Sequence, residues 1–360
     1  MTAASAPAAA APTSDAVDWA LAARVARRVA GRNPLAGSYL ATSLDDDFAE
    51  VTAQAETLVA EHTGLRPTGS ARAEVLDRQR WVDANVASMR RLLGPLTARV
   101  GDRMARSPVA GVGRTVAATE LGVLLGFFAQ RVLGQYDLLV PDEDDAPADD
   151  AVYYVGANIL SLEKRFAFRP RDFRLWIAIH EVTHRAQFTA VPWVREYFLD
   201  LVNRALGSVD ADPRRVVQAL MRAADELRKG RNPLDEGGIV GLLATPEHRG
   251  VLGQVQGLMS VLEGHGNRVM NELGRAHVAG QERMARVLQS RRRSQGLSGL
   301  VYKLVGLDTK MRQYEIGEAF VEAVEREAGP RGLDPVWRTP DNLPTLEELQ
   351  APNAWLARVA

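Results

Sequence analysis

Residues 175–188 read LWIAIHEVTHRAQF, the most informative stretch of the chain. It contains two histidines four residues apart, His180 and His184, with Glu181 directly after the first. Residues four apart lie one turn apart on the same face of a helix, so both imidazoles can converge on one metal ion. Apolar residues recur around the motif at helical spacing and predict a buried helix: Leu175, Trp176, Ile179, Val182 and Phe188.

The spacing predicts a zinc site with a built-in base. Glu181 stands beside the first ligand, so it is placed to reach a water on the metal rather than the metal itself. Zinc lowers the pKa of such a water from about 15.7 to about 7, and a nearby carboxylate can accept its proton as attack begins. The alternative is a pair of ordinary helix histidines with a solvated glutamate. The apolar surroundings of the motif favour the zinc site.

A third ligand has to come from elsewhere in the chain, because catalytic zinc sites usually have three protein ligands. Cysteine is absent, which leaves a carboxylate or another histidine. The metzincin continuation of the motif is also absent, since Gln187 replaces its glycine and Ala190 its histidine.

Glu263, in the sequence Glu263-Gly264-His265, is the favoured third ligand. It follows His184 by 79 residues on a predicted helix. His265 is the rival, but it lies about 200° away around that helix, so only one of the two can bind unless the helix distorts. Asn267, one turn beyond Glu263, is placed to hydrogen-bond a ligating imidazole.

Stabilisation of the reaction's oxyanion requires a further donor, for which Tyr314 is the candidate and Arg312 the alternative. A tyrosine on an amphipathic helix is more often a packed residue, and that interpretation stays open. Residues 151–155 (AVYYV) form the best strand candidate and precede the histidine helix. They could be an edge strand that pairs with a peptide, or a hairpin strand that covers the core.

The periodicity of the chain predicts a mainly α fold with this small β element before the active-site helix. We expect a disordered tail at 1–16 and one domain over 17–360, with an N-terminal helical part (17–105), a metal-site core (106–290) and a C-terminal helical part (291–360). Predicted helices are 17–30, 44–62, 71–93, 116–132, 171–187, 192–206, 213–229, 252–273, 281–293 and 311–327. The acidic residues 141–150 predict a solvated loop.

Composition excludes several classes of function. A formal net charge of -1 gives no reason to expect nucleic acid or an anionic membrane as partner. The most apolar stretch, 121–129, is far shorter than the roughly 20 residues that span a bilayer, so we expect a cytoplasmic protein. Gly122 and Gly126 within it predict close packing points of a buried helix that is apolar nearly all round.

The motifs also resemble a known family, the zincin-like metallopeptidases of actinobacteria, often labelled as associated with biosynthesis of the deazaflavin coenzyme. The resemblance runs from about residue 17 onward. It rests on Asp77-Arg78 with Trp81 and Asn85, Val132 to Asp137 (VLGQYD), Val155-Gly156 with Asn158, Trp176 to Gln187, Pro192-Trp193, Glu263 to His265, Lys310 with Arg312 to Tyr314, and Pro344 to Trp355. The resemblance implies a helical fold around a zincin helix and a hydrolase activity.

We therefore expect a zinc-dependent peptidase or hydrolase with His180, His184 and Glu263 as ligands and Glu181 as base. Its substrate would be a peptide or a small amide. Two alternatives stay open: a hydrolase of a non-peptide amide or ester, and an inactive zincin-fold scaffold. Manganese, iron or nickel also suits two imidazoles and a carboxylate. The sequence predicts neither the substrate's identity nor the oligomeric state.

Overall fold

The computed structural model describes residues 15–32, 38–104, 110–138, 151–207, 246–293 and 307–360. Its helices, in chain order, are α1 (Trp19–Ala30), α2 (Leu44–Thr63), α3 (Arg78–Met104), α4 (Ala110–Ala129), α5 (Gly156–Phe166), α6 (Pro170–Thr189), α7 (Pro192–Gly207), α8 (Pro246–His277), α9 (Gln281–Arg293), α10 (Leu307–Ala328), α11 (Leu346–Gln350) and α12 (Pro352–Val359). Its strands are β1 (Arg72–Leu76), β2 (Gly134–Tyr136) and β3 (Ala151–Val155). The mainly α fold with a small β element is confirmed.

The backbone groups into two compact units, residues 1–32 with 78–131 and residues 33–77 with 132–360. The first contains α1, α3 and α4, and we call it the basic unit because its arginines outnumber its acidic residues. The second contains the sheet and all other helices. The prediction of one domain over 17–360 stays a prediction, and the tail at 1–14 and the helix at 213–229 lie outside the described residues.

In the basic unit, α1 packs closely on α4 because two glycines of α4 face it. A Cβ on Gly122 would lie 2.6 Å from the carbonyl oxygen of Ala22, and one on Gly126 would lie 2.6 Å from that of Ala26. The predicted packing role of both glycines is confirmed. The prediction that the helix at 116–132 is buried is wrong for part of its surface, because Val116 and Val123 are exposed, as is Val112 in the preceding turn.

In the second unit, the three strands form one sheet in the order β1-β3-β2. β3 lies in the centre, parallel to β1 and antiparallel to β2, and all five of its residues are buried. The predicted strand is confirmed, but its interpretation as an edge strand is wrong. The outer strand next to the histidine helix is β2.

The predicted helix at 71–93 is wrong in about its first two turns, residues 71–77. Residues 72–76 form β1, and the helix begins only at Arg78. The apolar residues of this stretch fit a helical period, but pairing with β3, 79 residues downstream, decides the conformation of the first five.

The core of the second unit surrounds α6, which contacts α2, α8, α7 and the sheet. Pro170 occupies its first turn and Asp172 supplies a negative charge there, both favourable at a helix N-terminus. Phe173, Ile179 and Trp176 are fully buried or nearly so. The helix that carries the histidines is therefore a central element of this unit, as its apolar pattern predicted.

Candidate metal centre

Two buried arginines fix α6 on the faces away from the histidines. Arg185 donates to the Glu56 carboxylate at 2.8 Å and to the Gly69 carbonyl at 3.1 Å. Arg174 donates to both carboxylate oxygens of Glu163, at 2.8 and 3.0 Å. A guanidinium group that bonds to two acceptors at once restricts both the orientation of the arginine side chain and its distance from its partners. They hold the helix, and hence its histidines, in one orientation.

His180, His184 and Glu263 converge, and their ligand atoms all lie within 4.8 Å of one another. The two Nε2 atoms are 3.2 Å apart, and the Nε2 atom of His184 is 3.6 Å from a Glu263 oxygen. With bonds of about 2.0–2.1 Å, the edge of a tetrahedral zinc site is about 3.3 Å. The donor set and its spacing fit a divalent cation.

Glu263 reaches the histidines because α8 crosses the site without bulky side chains. A Cβ on Gly266 would lie 3.1 Å from the Cε1 atom of His184 and 3.5 Å from that of His180. On the far side of α8, Gly264 faces Gly317 of α10 so closely that a Cβ on either would overlap backbone atoms of the other helix. Glycine on both faces thus lets α8 lie between α6 and α10.

Gln187 sets the proton of the His184 ring. Its Nε2 atom is 2.9 Å from the carbonyl oxygen of Leu262, which can only accept, so this end of the amide is the NH₂ group. The other end, Oε1, can then only accept, and it lies 2.9 Å from His184 Nδ1. In the neutral ring Nδ1 therefore carries the proton, and Nε2 is the atom left for a metal.

The same amide also contacts the His265 ring. Gln187 Nε2 is 2.9 Å from His265 Nδ1, which must accept and is therefore unprotonated. Burial, with the nearby charges of His184 and His62, lowers the pKa of His265 to about 3, so the ring is neutral. It also packs edge-on against Trp337. The structure thus places His265 as a hydrogen-bonding partner and Glu263 at the histidines.

Glu181 is not one of the three converging residues, and its side chain lies against β2. The backbone N–H of Tyr136 donates to its carboxylate. A Cβ on Gly134 would lie only 2.6 Å from Glu181 Cγ and 2.7 Å from one carboxylate oxygen. Asn158 donates to the carbonyl of Val132 at 2.6 Å and so fixes the start of this segment. Residues 132–137 (VLGQYD) therefore form the surface against which the Glu181 carboxylate packs.

The charges of the site favour a cation and a basic carboxylate. Burial raises the pKa of Glu181 to about 7, assisted by the charge of Glu263 and opposed by His184 and the Tyr136 N–H. Burial lowers the pKa of His184, but the charge of Glu263 and its hydrogen bond, with Glu181 and Gln187, raise it to about 9. Negative charge around Nε2 attracts a proton, and it attracts a divalent cation for the same reason.

Sequence reasoning did not find Gln187, Gly134 or Tyr136 as site residues. The first was noted only for breaking the metzincin pattern, and the other two only as part of a family signature. The ring partner of His184 is Gln187 rather than Asn267, which is buried on α8. Tyr314 and Arg312 lie within α10, but their side chains are outside the described residues, so their predicted roles stay predictions.

A buried helix with the pattern H-E-x-x-H and a carboxylate from a second helix defines the class of the zincins, hydrolases with a metal at such a helix. The chain belongs to the zincin-like metallopeptidase family, whose model matches residues 17–356. The family implies a divalent metal, and membership is as the sequence predicted. The match tests neither the actinobacterial nor the deazaflavin label.

One solved structure is similar along nearly the whole chain. It comes from Chloroflexus aurantiacus and is described as "a putative hydrolase with a novel fold". The two are 30% identical, with a TM-score of 0.68, over 95% of this chain and 98% of the other. No protein with a curated description matches. Family and neighbour together support a metallohydrolase.

Proposed function

We propose that the protein is a zinc-dependent peptidase in which His180, His184 and Glu263 hold the metal and Glu181 acts as general base. The observation that carries the proposal is the convergence of three ligand atoms beside a separately held carboxylate. A zinc ion bound there would polarise the scissile carbonyl and make water more acidic. The protein's own side chains would transfer the protons and stabilise the oxyanion.

Glu181 accepts a proton from the attacking water and passes it to the departing amine, so its protonation state is restored at the end. Burial raises the pKa of Glu181 and so makes its carboxylate a stronger base. Gly134 and Tyr136 hold the carboxylate in place during both transfers. Tyr314 remains the proposed donor to the oxyanion.

A peptide is the favoured substrate because an outer strand lies beside the base. β2 pairs with β3 on one side, where Leu133 accepts from Val155 and Asp137 donates to Ala151. The Tyr136 N–H points the other way, to Glu181. An extended chain laid along that side would bring a peptide bond to Glu181. The role of a peptide-binding edge strand, one of the two interpretations left open for residues 151–155, is thus proposed for β2.

Aromatic residues next to the site favour an apolar group in the substrate. Phe188, one turn after His184, stacks with Tyr136 at 6.0 Å and meets Phe198 edge-on at 5.9 Å. All three are partly exposed. We propose that they contact an apolar side chain of the peptide. The cytoplasmic location stays a prediction.

The test compares the metal-loaded full chain with its Glu181→Gln variant on quenched-fluorescent peptides, a non-peptide amide and an ester. We expect metal-dependent peptide hydrolysis that falls by about 10²–10⁴-fold in the variant, because a general base contributes about that much. Its metal content should not change. Glu282→Gln, an exposed position of α9, is the control. Hydrolysis of the ester alone would favour the non-peptide hydrolase, and a chain that binds metal without any turnover would favour the scaffold.

A further inference from the structure

Charge is strongly segregated between the two units. The basic unit (residues 1–32 and 78–131) contains 13 arginines and five acidic residues, a formal net charge of +8. The rest of the chain contains 31 basic and 40 acidic residues, a net charge of -9. The net charge of -1 for the whole chain conceals this asymmetry. The net charge of the whole chain therefore does not exclude an anionic partner for the basic unit.

The same unit exposes an apolar stripe on α4. Val112, Val116 and Val123 are 67%, 49% and 42% exposed. Their spacing places them within about 40° of one another around the helix. We call these three residues the valine stripe. Among the described residues, the only other large apolar side chain exposed to this degree is Leu346 of the second unit, at 38%.

Packing within the basic unit leaves the valine stripe outward. α4 contacts α1 through Gly122 and Gly126, which lie about 40–120° around the helix from the valines. Nine arginines of the unit are exposed, among them Arg24 and Arg28 of α1. An exposed apolar stripe in a strongly cationic unit is the combination found in helices that lie in a membrane interface.

Residues 111–129 of α4 are long and apolar enough to cross a bilayer by length and composition, which buried helices of soluble proteins also are. Two features favour a helix that lies on a membrane instead. Arg114 and Glu120 lie within the segment, and two of its glycines, Gly122 and Gly126, pack against α1. Immersion of the whole helix would also require separation from α1.

We infer that the basic unit docks on an anionic lipid surface, with the valine stripe entering the interface and the exposed arginines meeting the headgroups. Charge complementarity selects this partner. Nucleic acid would use the arginines but would leave the valines in water. A second copy joined stripe to stripe would bring two units of +8 together, which repel. The inference is independent of the proposed hydrolysis and replaces the expectation of no membrane partner.

The test is co-sedimentation of the full chain with vesicles. At about 0.1 M salt we expect binding to phosphatidylcholine vesicles with about 30 mol% phosphatidylserine to exceed binding to pure phosphatidylcholine by at least about tenfold. Binding should weaken at about 0.5 M salt, because the Debye length shortens. Equal binding to both vesicles, or binding to neither, would overturn the inference.

Two variants separate the apolar and the charged contributions. Replacing all three valines of the stripe by serine should weaken binding to anionic vesicles at least about tenfold, since each loses buried apolar surface. Leu346→Ser should have no effect. Arg24→Gln/Arg28→Gln should weaken binding several-fold, whereas Arg249→Gln/Arg286→Gln, exposed in the other unit, should not.

Circular dichroism of each variant checks that exposed substitutions leave the fold intact. Unchanged binding by a correctly folded stripe variant would contradict the inference. So would preferential capture of double-stranded DNA over anionic vesicles. A dimer of the wild-type chain that the serine substitutions dissociate would instead make the stripe a subunit interface, and the inference would fall.

Discussion

Gln187 shows how much one amide can decide at a metal site. It meets the Leu262 carbonyl, the His265 ring and the His184 ring at 2.9 Å each. The Leu262 carbonyl orients the amide of Gln187, and the amide oxygen then accepts a hydrogen bond from Nδ1 of His184. In the neutral ring, this leaves the lone pair of His184 on Nε2. The residue that departs from the metzincin pattern therefore has a positioning role of its own.

Gln187→Ala should weaken metal binding by about 10–100-fold, the usual effect of removing a hydrogen-bonding partner of a ligating histidine. The affinity is measured by competition with a chromophoric chelator. Gln281→Ala is the matched control, because Gln281 is also buried and hydrogen-bonded, to Asn271 at 3.0 Å, on another helix. Equal losses of affinity in both variants would show a general effect on the fold and contradict the positioning role.

Gly134→Ala should reduce hydrolysis without removing the metal. The new Cβ would displace the end of the Glu181 side chain, which is flexible, rather than any backbone atom. We expect kcat to fall by at least about tenfold, since a displaced base transfers protons poorly. Metal content by elemental analysis should equal that of wild type.

Gly253→Ala is the control for this substitution, because a Cβ there meets only ordinary contact, at 3.7 Å from Leu346 Cδ1. A Gly134→Ala variant with full activity would show that the surface formed by β2 does not position the base.

At the scale of elements, the helices were the easier part to predict. Predicted and observed bounds agree closely for α2, α7 and α9, and the local sequence carries signals for some of these ends, such as Gly64 after α2 and Pro192 at the start of α7. β1 and β2 were missed because their conformation depends on β3, which is distant in the chain. β2 is only three residues long, too short for a periodic signal.

The crossing of α8 and α10 is a second feature that local sequence did not reveal. Gly317→Ala should destabilise the protein by about 1–3 kcal/mol, because overpacking of a tight interface forces the backbones apart. Its Cβ would overlap the carbonyl oxygen of Ser260 on the facing helix. Chemical denaturation measures the free energy of unfolding.

Gly250→Ala on α8 is the opposite case, since a Cβ there meets nothing within 4 Å. That variant should be more stable than wild type by about 0.5–1 kcal/mol, because alanine favours a helix. If both variants shift the unfolding free energy in the same direction, the close crossing of α8 and α10 is not the cause.

At the scale of the whole molecule, the proposed metal site joins two helices that are far apart in the chain. His180 and His184 come from α6 and Glu263 from α8. A ligand that binds only the folded state stabilises it by about 4 kcal/mol when its concentration is a thousand times its Kd. We therefore expect zinc to raise the Tm by several degrees and a chelator to reverse the rise.

Glu263→Ala should lose most of this zinc-dependent shift, and Glu282→Ala on the surface of α9 should keep it. Differential scanning fluorimetry with and without zinc makes the comparison. A shift that persists in Glu263→Ala would show that the metal binds without a ligand from α8, and the proposed site would then be wrong.

The sequence by itself determined the zincin helix, its two histidines and its glutamate, because a four-residue spacing is a property of one helix. It also determined the helical class of the fold and a short set of candidates for the third ligand. Each of these features depends on residues close together in the chain, so residue types and their spacing are enough to predict it.

Only the tertiary structure places Glu263 rather than His265 at the two histidines, because this depends on which side of α8 meets α6. It also decided that Gln187 sets the His184 ring and that Gly134 and Tyr136 hold Glu181. The tertiary structure also decided how the charges are divided between the two units and which face of α4 is exposed. Each of these depends on contacts between residues distant in the chain, which only the packing of helices and strands brings together.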